Sequence, residues 1–182
     1  MAMYLGNKKV AVTNTIEKQV PSMKAFFEAG GKCQGSTATS FDGCWQFGDT
    51  ANMKKTASMF YDCRNLTTVP LFDTKNVTNM KNMFYSCSNL TTVPLFDTSN
   101  VTNMSSMFKG CSSLEAIHMI NINANLDISA STKFTREALL EIIGNLKAQT
   151  SGSKKLTMGS TNLAKLTDED KAIATNKGWT LA

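Results

Sequence analysis

The sequence has few of the residues from which catalytic and metal sites are built. Its 182 residues include one histidine, His118, which leaves little for a Ser-His-Asp or Cys-His arrangement, and no nucleophile-elbow motif is present. The CxxC spacing typical of zinc ligands is also missing. We therefore expect no catalytic residues, no metal site and no cofactor, and we predict that the protein is not an enzyme.

Long hydrophobic runs and clustered basic residues are missing as well. No apolar run approaches the ~18 residues of a membrane-spanning helix. The first residues, MAMYLGNKKVAVT, lack the apolar core of a secretory signal peptide. The net charge is +5, but the lysines are scattered as pairs, whereas nucleic-acid binding needs basic clusters with aromatic residues. We expect no membrane insertion, no nucleic-acid partner, and a chain that begins in the cytoplasm unless it is a fragment of a longer secreted protein.

What the sequence does contain is an internal repeat. Residues 65–84 read NLTTVPLFDTKNVTNMKNMF, and residues 89–108 repeat this stretch with three differences at an offset of 24 residues. This period lies in the leucine-rich-repeat range. The same offset relates the cysteines Cys63, Cys87 and Cys111 and the aspartates Asp49, Asp73 and Asp97. The repeats cover residues 41–120.

The hydrophobic spacing divides each repeat into two halves. Leu66, Val69 and Leu71 fit the LxxLxL pattern of a short strand with these three side chains pointing inward. Steps of three and four then predict a short helix with one apolar face, formed by Val77, Met80, Met83, Phe84 and Cys87. We expect parallel strands centred near Trp45, Val69, Val93, Ile117, Leu156 and Trp179.

Both ends of the chain carry helix signals. Pro21 opens an apolar segment that Gly30 and Gly31 end, which predicts a helical N-terminal cap within residues 1–40. Residues 121–182 predict enlarged rungs and a C-terminal cap. They contain a helix over residues 134–149 capped by Thr135 or Thr132, and a second helix that Thr167 caps and Gly178 ends.

The predicted fold class is α/β. Each strand and its returning segment form one coil of a right-handed leucine-rich-repeat solenoid. A single coil cannot bury its own apolar edge, so the coils stack. We expect residues 1–182 to form a single leucine-rich-repeat domain.

The phrase MFYSCSNLTTVPLFDTSNVTNM resembles the repeats of the BspA-like leucine-rich-repeat family of bacterial surface proteins. Such repeats also occur in tail-associated proteins of phages and prophages. The C-terminal LTMGSTNLAKLTDEDKAIATNKGWTLA and the opening MYLGNKKVAVT are similar to the flanks of the phage-linked members. The resemblance implies a right-handed solenoid with an adhesion or attachment role. It also implies a location in a virion or tail, or on a bacterial cell surface if the chain is a fragment. It supplies no catalytic residues.

Two side-chain ladders have alternative interpretations. The cysteine ladder of Cys63, Cys87 and Cys111 could be a metal or redox site, but a column of small buried thiols explains the spacing more simply. The aspartate ladder could bind calcium, which takes six to eight oxygen ligands. One carboxylate per repeat favours capping of the following backbone N–H groups instead.

The outward positions of the strands are the candidate ligand-binding face. This predicted sheet face comprises Thr68, Pro70, Phe72, Thr92, Pro94, Phe96, His118 and Ile120. Side chains stacked ~4.8 Å apart would form a narrow, partly aromatic surface suited to binding. Phe72 and Phe96 could instead turn inward at the corner and fill the core, and the short apolar run leaves both alternatives open.

The functional hypothesis is a binding or attachment module that recognises a protein or carbohydrate ligand on a host surface. The alternative is a purely structural virion component that docks onto a neighbouring tail protein. A carbohydrate- or protein-binding assay on a variant with Phe72 and Phe96 replaced separates the two.

Overall fold

The computed structural model describes residues 2–5, 8–11, 33–41 and 50–182. The first strands, β1 (Ala2–Leu5) and β2 (Lys8–Ala11), pair as an antiparallel hairpin. The predicted helix after Pro21, the strand at Trp45 and the aspartate at position 49 lie outside the described residues.

The other regular elements of the described residues lie in the second half of the chain. In order they are β3 (Thr92–Asp97), β4 (Ala116–Ile120), β5 (Leu126–Asp127), α1 (Arg136–Gly144), β6 (Lys154–Thr157), α2 (Ser160–Leu163), α3 (Asp168–Asn176) and β7 (Trp179–Leu181). Strands β3 and β4 pair in parallel, and β5, β6 and β7 form a three-stranded parallel sheet in that order. None of the helices in the described ranges has the length and apolar character that a membrane crossing requires.

Four of the predicted strands are present, near Val93, Ile117, Leu156 and Trp179. The strand predicted around Val69 is not formed, although Val69 itself is buried. A ladder between the Val69 stretch and β3 would lack two donors, because Pro70 and its equivalent Pro94 have no N–H, whereas β3 forms its ladder with β4, which contains no proline.

Backbone hydrogen bonds still join adjacent repeats next to Val69, although no strand is formed there. Thr67 donates its N–H to the carbonyl of Thr39 (2.8 Å), and Thr91 donates to the carbonyl of Thr67 (3.1 Å). Equivalent residues of the two clear repeats therefore lie side by side. The handedness of the coil and its leucine-rich-repeat class stay predictions.

The second half of each repeat is a series of turns, so the predicted short helix is wrong. We call residues 56–63, 80–87 and 104–111 the turn segments. Within the second segment, the amides of Met83, Tyr85 and Cys87 donate to the carbonyl three residues earlier, at 3.1 to 3.2 Å. A helix would pair every amide with a carbonyl of its own segment. Here every second amide is left for another partner.

That partner is the next repeat. The amides of Asn82, Phe84 and Ser86 donate to carbonyls of the third turn segment at 3.0, 3.0 and 2.7 Å, and the first segment donates to the second in the same way. This alternation between acceptors in the same segment and acceptors in the next repeat requires a left-handed backbone conformation at the same positions of each repeat. Positive φ angles recur with the 24-residue period, at Ser58, Asp62, Asn82, Ser86, Ser106 and Gly110.

Stacking of the repeats aligns equivalent side chains into buried columns. The rings of Phe60, Phe84 and Phe108 stack with centroids 5.5 and 5.8 Å apart and planes within 3° of parallel. Cysteines and methionines form parallel columns beside them, and the buried apolar cluster is continuous from Cys33 to Trp179. Parallel rings at this spacing add to the stabilisation that burial of apolar area supplies.

Helix α1 begins at one of the two predicted caps but ends earlier than predicted. Thr135, one of the two possible caps, accepts a hydrogen bond from the Ala138 N–H (3.2 Å) at the start of α1. The helix ends at Gly144, five residues before the predicted end. Leu146 leaves the helix because its segment pairs with Ile122.

The last helix is held at both of its ends. Thr167 and Asp170 form a capping box at the start of α3, and Asp170 also accepts two hydrogen bonds from Arg136 of α1, at 2.7 and 2.8 Å. Gly178, with φ at +78°, ends the helix and starts β7, as predicted.

The close packing of adjacent turn segments predicts that a substitution of Gly110 lowers the stability of the protein. Its φ is +80°, and an added Cβ would lie 3.3 Å from the Cα of Ser86 in the adjacent repeat. Gly110→Ala should therefore lower the free energy of unfolding by about 1–2 kcal/mol. Denaturant titration followed by circular dichroism measures the loss.

The matched control is Gly144→Ala, at the last residue of α1. An added Cβ there meets no atom within 4 Å, and the φ is not left-handed. This variant should unfold at the same denaturant concentration or slightly above. Equal losses in the two variants would contradict the role assigned to the turn segments.

Candidate functional site

The candidate site lies at the outer side of β3 and β4, where the pairing of the two strands is irregular. Val93 lies opposite Ile117, whereas Phe96 lies opposite Met119. Three residue steps on β3 thus match two steps on β4, so β3 contains one extra residue. Such a bulge inverts the inward and outward alternation of the side chains that follow it.

Side-chain burial corrects two predictions about which residues face solvent, and the bulge explains the correction for Leu95 and Phe96 of β3. Phe72 and Phe96 are 1% and 0% exposed, so their assignment to the predicted sheet face is wrong. Their rings lie 5.7 Å apart in the core. Leu71, predicted to point inward, is 44% exposed, and its equivalent Leu95 is 53% exposed.

The other members of the predicted face keep part of their surface accessible. They are half-buried: Thr68, Pro70, Thr92, Pro94, His118 and Ile120. The His118 Nδ1 lies 2.7 Å from the Glu141 Oε1 of α1, so the histidine is tied to the neighbouring helix. The accessible part of the predicted sheet face therefore consists of these six residues and lacks the two phenylalanines.

Two exposed leucines take the place of the phenylalanines. We call Leu71, Leu95 and Ile120 the leucine stripe. Together with Phe72, Asp73, Thr74 and Asp97 they line a shallow groove of about 160 Å³. Adjacent apolar side chains on the surface of a folded protein are typical of a contact site for another molecule.

Carboxylates border this apolar groove. Burial opposes the charged form of Asp97, but hydrogen bonds from the Ser99 N–H (2.9 Å) and the Asn121 side chain (3.2 Å) outweigh it and lower the pKa of Asp97. Asp73 lies 3.4 Å from the ammonium group of Lys75. The groove therefore combines an apolar floor with negative charge at its edge.

The aspartate ladder caps turns. Asp73 accepts a hydrogen bond from the Lys75 N–H (3.2 Å), and Asp97 accepts the equivalent bond from Ser99. Capping of the following backbone was predicted, although the capped segment is a turn and not a helix. Within the described ranges, no three acidic, histidine or cysteine side chains converge as a metal site would require.

The cysteine ladder is buried, as predicted. The thiols of Cys63, Cys87 and Cys111 donate to the carbonyls of Cys33, Phe60 and Phe84 at 2.8, 3.0 and 2.9 Å. Burial raises the pKa of Cys63 to about 11 and that of Cys111 to about 12. Burial, followed by the neighbouring thiols, also raises the pKa of Cys87. These are protonated structural thiols at neutral pH.

The exposed leucines had one signal in the sequence. Val93, Pro94, Leu95 and Phe96 form an apolar run in which a proline interrupts the strand. Proline inside a strand is associated with edges and bulges. A bulge in such a run leaves one of the last two apolar residues facing solvent, but the sequence does not show which of the two it is.

Comparison with known proteins finds one family model that matches part of the chain. The model of a family described as "Mycoplasma protein of unknown function, DUF285" matches residues 54–136. The match agrees with the resemblance of the repeats to BspA-like surface proteins. No curated protein and no solved structure matches the chain.

The buried thiols predict a characteristic dependence of stability on pH. The folded pKa values lie above the ordinary value of 9.0, so the unfolded state loses thiol protons first as the pH rises. The stabilisation is complete below pH 9.0 and falls as the pH approaches about 11. The urea midpoint should therefore decrease across this interval.

The control is Cys87→Ala, which should show a shallower decrease because one of the thiols is gone. Its free energy of unfolding near neutral pH should fall by about 1–2 kcal/mol, as expected for a small cavity. Rapid labelling of Cys63, Cys87 or Cys111 by a thiol reagent in the folded wild type near neutral pH, located by peptide mass spectrometry, would contradict the burial of the column.

The inverted alternation predicts opposite effects for two neighbouring residues. Phe96→Ala should lower the free energy of unfolding by about 3–5 kcal/mol, because it opens a cavity in the core. Leu95→Ala should change it by less than about 1 kcal/mol, because the side chain is exposed. Urea denaturation of both variants tests the assignment. Similar losses at the two positions would place both side chains in the core.

Proposed function

We propose that the protein is a non-enzymatic binding module of the BspA-like leucine-rich-repeat type, which attaches to a partner through the leucine stripe. The observation that carries the proposal is the exposure of Leu71 and Leu95 at equivalent positions of adjacent repeats. With Ile120 they line one groove. A folded protein tends to bury such residues unless another molecule contacts them.

The chemistry of the groove favours a protein partner. Apolar anchors at the centre of a contact with charged groups at its rim are the usual arrangement of a protein–protein interface. The Asp97 carboxylate lies at this rim, and its lowered pKa keeps it charged. The partner segment should therefore present an apolar side chain beside a lysine or arginine.

We further propose that the attachment serves a phage or prophage tail, or a bacterial cell surface if the chain is part of a longer protein. The similarity of the repeats and of both flanks to the phage-linked proteins supports the tail. In the alternative, the same groove docks onto a neighbouring tail protein, and the chain is a structural component of the particle.

The experiment replaces the two exposed leucines together, Leu71→Ser and Leu95→Ser. The variant should keep its circular dichroism spectrum and bind at least about tenfold more weakly to cells of the strain that carries the gene, since two interface anchors are lost. Ile173→Ser is the matched control, because Ile173 of α3 is also exposed, at 42%, and lies outside the stripe.

The readouts separate the two functions. Loss of cell binding with normal incorporation into tail particles supports attachment. Loss of incorporation supports the structural alternative. A double variant that behaves like wild type in both assays would contradict the assignment of the leucine stripe as the binding surface.

A further inference from the structure

The charged residues of the repeats are segregated between the two sides of the stack. Residues 90–101 and 114–120, which contain β3 and β4, and the equivalent residues 66–77 hold three carboxylates and one lysine. The stretches that contain the turns, residues 54–65, 78–89 and 102–113, hold five cations and one carboxylate. The lysines look scattered along the sequence, but stacking of the repeats brings them to one side.

Four of these cations are exposed and have no acidic partner. Lys54, Lys55, Lys81 and Lys109 are exposed, and in the described part of the chain none of them pairs with a carboxylate. We call these four residues the basic face. The single carboxylate of the turn stretches, Asp62, is already bound to Arg64 at 2.7 Å. The positive charge of the basic face is therefore not neutralised within the described structure.

Backbone donors lie at one edge of the same surface. Ser106 and Gly110 are the third-repeat equivalents of Asn82 and Ser86, whose amides donate to the following repeat. Within the described residues, the amides of Ser106 and Gly110 have no backbone acceptor. Both have positive φ angles, and Lys109 lies between them. Backbone N–H groups beside an ammonium group suit an anion.

We propose that the basic face binds an anionic polysaccharide, a polymer that carries sulfate, phosphate or carboxylate groups at regular intervals. The physical reason is the stacking of the repeats, because each of three adjacent repeats contributes at least one of these cations to the same side, although at different positions of the repeat. A polymer with periodic anions can therefore contact several lysines at once.

The aromatic residues on this side disfavour a nucleic acid. The rings of Tyr61 and Tyr85 stack on each other with centroids 4.8 Å apart and planes within 9° of parallel. Lys109 lies over the Tyr85 ring at 5.7 Å from its centroid. Tyr61 and Lys109 hold the equivalent positions in the preceding and following repeats, so they flank the Tyr85 ring, and that ring offers no platform on which a base could stack.

The apolar residues disfavour a lipid surface. The exposed large hydrophobic residues of the described chain are Leu71, Leu95 and Ile173, and none belongs to the turn stretches. Stable binding to a membrane surface normally combines basic residues with inserted apolar side chains. The basic face therefore fits a hydrated anionic polymer better than a bilayer.

The experiment uses heparin as a sulfated polysaccharide probe. The wild type should bind immobilised heparin at low salt and elute as the salt concentration rises, since exposed charge pairs are screened. The variant Lys55→Gln, Lys81→Gln, Lys109→Gln should bind about tenfold more weakly, given the modest strength of each exposed pair. Its circular dichroism spectrum should remain that of wild type.

The matched control removes the same charge elsewhere, through Lys147→Gln, Lys155→Gln and Lys171→Gln in the C-terminal part. It should retain wild-type binding. The Leu71→Ser, Leu95→Ser variant should also retain it, which separates this proposal from the function of the leucine stripe.

Several outcomes would overturn the proposal. Absence of heparin binding by the wild type, or equal losses in the two lysine variants, would show that the basic face is not the site. Stronger competition by single-stranded DNA, by polyglutamate or by vesicles of phosphatidylserine and phosphatidylcholine would assign the face to a different class of partner.

Discussion

The stability of the structure depends on hydrogen-bond acceptors for the backbone amides of the turn segments. Buried N–H groups must be paired, and here half of them can be paired only by another repeat. Met83, Tyr85 and Cys87 donate within their own segment, whereas Asn82, Phe84 and Ser86 donate to the following one. One repeat alone would leave these donors without protein acceptors. The stack, and not the single repeat, is therefore the stable unit.

The side chains reinforce the same dependence. The Cys87 thiol donates to the carbonyl of Phe60, and Cys111 donates to the carbonyl of Phe84. Each buried sulfur thus binds the preceding repeat while the phenylalanine rings stack on their equivalents. Because the repeats are held in register from inside, the residues on the outside are held in register too. The leucine stripe results from this register, whereas the basic face results from stacking, which brings lysines from different positions of three repeats to the other half of the repeat.

The sequence alone predicted the features that depend on period and on caps. The offset of 24 residues, the buried cysteines, the strands near Val93 and Ile117 and the cap at Thr167 needed no knowledge of tertiary contacts. The turn segments were predicted wrongly because consecutive turns bury residues at steps of three and four, as a helix does. The exposure of Leu95 and the burial of Phe96 depend on a bulge, which inverts the alternation without changing the composition of the strand. The basic face was missed because linear spacing does not show which lysines the stack brings together.

Hydrogen exchange of individual amides, followed by NMR, tests the stacking of the repeats most directly. Asn82 and Ser86 donate to the next repeat, whereas Ser106 and Gly110, at the equivalent positions, have no backbone acceptor in the described part of the chain. After correction for intrinsic rates, the amides of Asn82 and Ser86 should exchange at least about tenfold more slowly than those of Ser106 and Gly110. Equal rates for the two pairs, with Met83 and Cys87 still protected, would show that the turns form without stacking and would contradict this account.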